Sequence, residues 1–83
     1  MTDQEILDLF TRTLRDLLMD ESIALTMATR REDVPEWDSF SYINFIVAVE
    51  VALGIKFNVA DIESFETVGA IVTQTKALLG GSS

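Results

Sequence analysis

The sequence contains no cysteine and no histidine. Without thiols there is no disulfide staple and no thiol nucleophile, and without imidazole the common zinc ligand sets and the usual acid–base group near neutral pH are missing. Cations are scarce: six lysines and arginines face 14 aspartates and glutamates, for a net charge of −8. That field repels nucleic acid and anionic membranes and favours partners with basic patches. Long hydrophobic runs are lacking too. The longest, Ile43 to Leu53, is interrupted by Asn44 and Glu50 and falls well short of the ~20 residues that span a bilayer. The N-terminal Met1-Thr2-Asp3-Gln4-Glu5 has no basic segment ahead of an apolar stretch, so no secretory signal is expected and a soluble cytoplasmic protein is.

What the chain does have is apolar content, at 48% of its residues too much for a disordered acidic tail. Its 83 residues suffice for one core and one domain. That domain is expected over residues 1–79, with Gly80-Gly81-Ser82-Ser83 as a flexible tail.

Periodicity predicts helices throughout. Thr2-Asp3-Gln4-Glu5 has the form of a capping box, and Ile6, Phe10, Leu14 and Leu17/Leu18 then recur at helical spacing. From Met19 to Trp37 the pattern weakens. Ile23, Leu25 and Met27 alternate there as anchors to the core, and the charged stretch Arg30 to Glu36 holds the only proline, Pro35. A long ordered connection with room for a short helical turn is expected. A second helix should run from Asp38 or Ser39 to Leu53, with Gly54 as its left-handed cap. At about 100° per residue, Ile43, Ile46, Val49 and Leu53 share one face of it. Ser41, Asn44, Ala48 and Val51 lie opposite, on a face that is small and nearly uncharged. Val59 to Phe65 predicts a short helix turning Ile62 and Phe65 inward. Thr67 offers the cap of a last helix striped by Val68, Ile71, Val72, Thr75 and Leu78/Leu79. The class is an all-α bundle of three main helices and one short one, with a long loop after the first.

The segment Trp37-Asp38-Ser39-Phe40 puts a serine where an acidic loop meets a helix start, a place suited to holding a phosphate. Taken alone, Ser39 and Asp38 each read as ordinary N-caps. Trp37 and Phe40 either pack the loop onto the second helix or line an approach to the serine. Val47 and Val51 form an apolar docking strip or are covered by the long loop or a second copy. Glu32, Asp33, Glu36 and Asp38 crowd one loop but lack the spacing and glycine of an EF-hand, so a solvated loop and no metal site is expected.

In order along the chain, Asp38-Ser39-Phe40, Ala48-Val49-Glu50, Leu53-Gly54-Ile55-Lys56-Phe57 and Ile62-Glu63-Ser64-Phe65-Glu66-Thr67-Val68 resemble the phosphopantetheine-binding carrier proteins, acyl carrier proteins of the stand-alone type. The resemblance spans essentially the whole chain. It implies a four-helix carrier bundle that is not an enzyme. Ser39 receives a covalent 4′-phosphopantetheine arm from a separate phosphopantetheinyl transferase, and Asp38 contributes to recognition in that complex. The arm holds acyl or aminoacyl groups as thioesters, which a ligase or synthetase loads and an acyl transferase or synthase removes; a monomer is implied. The chain departs from the fatty-acid carriers at Phe40, where leucine is usual, and at Trp37, where a small residue is usual. Its second helix also has Glu50 as the only acidic residue after Asp38. Docking is therefore expected on Phe40, Asn44, Val47, Ala48 and Val51 by apolar contact. The alternative from another class is an unmodified helical module that binds a protein partner with the same face.

Overall fold

Thr2 and Glu5 cap each other at the start of the first helix: Thr2 Oγ1 accepts from the Glu5 N–H at 3.2 Å, and Glu5 Oε1 accepts from the Thr2 N–H at 2.8 Å. The computed structural model describes residues 1–80. Among them the order is α1 (Asp3–Leu18), a 3-10 turn at Arg31–Asp33, α2 (Ser39–Leu53), α3 (Val59–Ser64) and α4 (Val68–Gly80). The helix expected to begin at Thr2 buries Ile6, Phe10 and Leu14 as its spacing predicts. Against that stripe pack α2 and α4. Phe10 meets Phe45 edge to face at 5.3 Å between ring centres, a geometry worth about 0.5–1.5 kcal/mol beyond burial. Gly80, expected to open the tail, is the last residue of α4, and the rest of that expected tail lies outside the described residues.

The buried face of α2 differs from the expected one. Tyr42, Phe45, Ile46 and Val49 are buried, while Leu53 is only partly so and Ile43 is 48% exposed. The helix is apolar on nearly every side, so spacing alone selects no stripe; the ring of Phe45 fills the space against α1 and that of Tyr42 turns toward α3, which leaves Ile43 outward. Gly54 ends the helix at φ 65°, its N–H donating to the Glu50 carbonyl, in a left-handed conformation that glycine adopts without the Cβ penalty. Glu50 then reaches beyond the helix end, its Oε2 accepting from the Phe57 N–H at 2.8 Å.

Residues 19–38 follow an ordered course because they are tied at several points. Ile23 and Leu25 are buried, and Arg15 Nε donates to the Ile23 carbonyl at 2.6 Å. Met27, expected to anchor by its side chain, is exposed and anchors by its backbone instead. Its carbonyl accepts from the Gly69 N–H at 2.9 Å, and the Thr29 carbonyl accepts from the Val68 N–H at 2.8 Å. These are donors of the first turn of α4, which have no acceptor within their own helix. Thr67 Oγ1 takes a third, from Ala70, at 3.1 Å. The close approach at Gly69 excludes a side chain, since a Cβ there would stand 2.6 Å from the Met27 oxygen. Gly69→Ala should accordingly cost about 1–3 kcal/mol through overpacking and free the Met27 segment. Urea denaturation together with amide exchange at Val68 and Gly69 checks this, and unchanged stability would contradict it.

Candidate functional site

Trp37 anchors the end of the long connection. It is 3% exposed and stands edge to face with Phe45 at 5.2 Å and with Tyr42 at 6.0 Å. Its backbone N–H donates to the Val34 carbonyl at 3.0 Å. The next residue is thereby held at the mouth of α2. Asp38 is the N-cap: its backbone is extended, its Oδ1 accepts from the Ser41 N–H at 2.9 Å, and its carbonyl accepts from the Tyr42 N–H at 2.8 Å. These bonds from Ser41, backbone first and side chain second, hold the Asp38 carboxyl below its ordinary range. With Asp38 doing the capping, Ser39 is the first helical residue. It is exposed, and its hydroxyl makes no hydrogen bond to another described residue.

Ser39 lines a cleft of about 600 Å³ between α2, the long connection and α3. Trp37, Tyr42 and Ile43 face it from one side, Ile62 and Phe65 from another, and Arg30 and Arg31 from the connection. The Tyr42 phenol crosses from α2 to α3, donating to the Ile62 carbonyl at 2.7 Å, and the Arg31 guanidinium lies 4.9 Å from the centre of its ring. Burial pushes the Tyr42 hydroxyl up to about 12, with the Arg31 cation pulling the other way. The Trp37 Nε1 is buried, with no acceptor among the described residues. Such an orphan donor is uncommon in a folded interior.

Along the outer side of α2, Phe40 and Val51 are each 78% exposed and Val47 is 49% exposed; Asn44 is exposed between them and Ala48 half-buried. The long connection therefore does not cover this strip. Phe40 does not pack the loop either; Trp37 does, and it also lines the cleft. Two of the expected site residues, Ser39 and Asp38, meet at the helix start; the docking residues form a separate stripe beside it. Spacing from Ser39 did not single out Tyr42 or Arg31. The signal available was that Tyr42 lies at i+3 from Ser39 and so shares its face.

Neither protein-family models nor curated protein sequences match the chain. Among solved structures, the holo acyl carrier protein of Geobacter metallireducens, determined in solution by NMR, superposes with a TM-score of 0.84. The two are 34% identical, and the match covers 92% of this chain and 87% of the other. The chain belongs to the acyl carrier protein family.

The single tyrosine offers a clean titration. Its ordinary value is 10.0 and the folded protein holds it at about 12. A raised value on a phenol means that the unfolded chain gives up this proton first. Tyr42 thus contributes its full stability below pH 10 and loses it as pH climbs to about 12. Helicity followed through alkali should fall in step with phenolate absorbance in the wild type. Tyr42→Phe should be less stable at neutral pH, lacking the bond to Ile62, yet show a flatter alkaline slope. Equal slopes would show that burial of this hydroxyl is not what the alkaline transition reports.

Proposed function

We propose that this chain is a stand-alone carrier bearing a 4′-phosphopantetheine arm on Ser39. The observation that carries the proposal is the division of labour at the start of α2. Asp38 satisfies the cap, so the neighbouring hydroxyl of Ser39 is exposed, unbonded and free to be esterified at the mouth of a cleft. The surroundings fit such a group: the cleft has apolar walls at Ile43, Ile62 and Phe65 and a guanidinium at Arg31. When bound, the arm supplies a terminal thiol that holds acyl or aminoacyl cargo as a thioester, chemistry that a chain with no cysteine cannot perform itself.

Ser39 has no hydrogen-bonded base among the described residues to activate it, so attachment falls to a phosphopantetheinyl transferase, to which Asp38 presents a carboxylate that its bonds to Ser41 hold below the ordinary range. The carrier acts as a monomer in the cytoplasm and is not itself an enzyme. A ligase or synthetase loads it and a transferase or synthase unloads it. These partners dock on Phe40, Asn44, Val47, Ala48 and Val51. Glu50 does not supply an acidic alternative on that strip, because it is half-buried and bonded to the Phe57 N–H.

Coexpression with a broad-specificity transferase, or incubation with coenzyme A and magnesium, should add one phosphopantetheine to the wild type and none to Ser39→Ala, whose circular dichroism should be unchanged. An unmodified wild type would favour the plain interaction module, and a modified Ser39→Ala would move the site. Docking is tested separately by the loading rate. Val51→Asp or Val47→Asp should slow loading by at least roughly tenfold, since a desolvated carboxylate in a contact costs several kcal/mol. Rising salt should slow wild-type loading only slightly. A steep salt dependence with mutants like wild type would point to the acidic loop instead.

A further inference from the structure

Although the chain carries a net charge of −8, two of its six basic residues line the cleft that contains Ser39. One of them, Arg30, is already engaged by Glu32 at 3.0 Å. Arg31 forms no ion pair with any described residue, and its guanidinium rests 4.9 Å over the ring of Tyr42. Tyr42 is one helical turn from Ser39 on the same face of α2, which brings this cation to the neighbourhood of the serine. The opposite rim carries Glu63 and Glu66. An anion in the cleft is therefore drawn to the Arg31 side and repelled from the α3 side.

A phosphodiester on Ser39 needs such a countercharge. The positive end of α2 offers it little, because the Asp38 carboxylate takes the Ser41 N–H and places a like charge next to the ester. A guanidinium meets a phosphate through two parallel N–H bonds, and an aromatic face beneath it fixes its plane. Trp37 lines the same cleft.

Resting on the reading of Ser39 as the attachment point, we propose that Arg31 is a positioning residue: it pairs with the Ser39 phosphodiester and so directs the arm into the cleft. In the absence of cargo the arm is then held against Trp37, Ile62 and Phe65 and not extended into solvent.

The experiment uses the full chain, with and without the arm, as wild type, Arg31→Gln and Arg31→Lys. Intact mass reports attachment. The indole N–H resonance of the single tryptophan and the phosphorus resonance of the ester report placement. Each protein before attachment serves as its own reference, because Arg31 lies over Tyr42 and Tyr42 meets the indole. Attachment should move the indole and phosphorus signals in the wild type, several times less in Arg31→Gln, and nearly as far as wild type in Arg31→Lys. An indole signal that stays put in the arm-bearing wild type, or moves equally in all three, overturns the inference while leaving the carrier reading intact. Failure of Arg31→Gln alone to accept the arm assigns Arg31 to transferase contact and overturns the positioning role. A wild type that gains no mass removes the carrier reading and this inference together.

Discussion

Burial of the Trp37 ring between Tyr42 and Phe45 is the interaction on which the rest of this structure depends. Residues 19–38 are long enough that closing them between two helices carries a sizeable entropic cost. Offsetting it takes ties at both ends and in the middle. Arg15 holds Ile23, the carbonyls of Met27 and Thr29 take the free donors of α4, and Trp37 closes the connection onto α2. Each edge-to-face pair adds about 0.5–1.5 kcal/mol beyond the area it hides. Trp37 also hands the chain to Asp38 in the extended conformation that a cap requires. Ser39 is consequently presented at a defined place, beside a cleft that Trp37 and Tyr42 also line.

Charge and apolar surface are separated over this small body. The acidic residues set a long-range field that brings basic partners near, whereas the outer strip of α2 from Phe40 to Val51 is uncharged and suited to short-range contact. The cleft is a third environment. Its walls are apolar, its rim carries both signs, and its one cation free of an ion pair among the described residues, Arg31, sits over Tyr42. On the proposed reading, steering, docking and holding of a covalent group fall on three different faces.

Much of the fold was legible because its signals are local. The capping box at Thr2, the left-handed cap at Gly54 and the cap at Thr67 depend on residues within one helical turn of each other, and each lies where spacing places it. The inward face of α2 was not legible. A helix apolar on all sides has no stripe to read, and only contact with Phe10 selects Phe45 over Ile43. At Met27 the alternation with Ile23 and Leu25 pointed to a side-chain anchor, while the working group is a carbonyl, which sequence pattern does not encode. The need for Gly69 likewise exists only once that carbonyl has met α4. At the site, the Asp38-Ser39 pair was visible, but not which of the two performs the capping. Arg31 and Tyr42 come together across the long connection, beyond the reach of any local spacing rule.

At the centre stands a claim about one hydroxyl: Ser39 is left free by its neighbour so that a phosphopantetheine can be joined to it. The most direct measurement is fragment mass spectrometry on the chain purified from the cells that make it naturally, with no transferase added. A single phosphopantetheine ester on the fragment containing Ser39 is the expected result. An unmodified Ser39 fragment, from an extract in which other carrier proteins bear the arm, would contradict it.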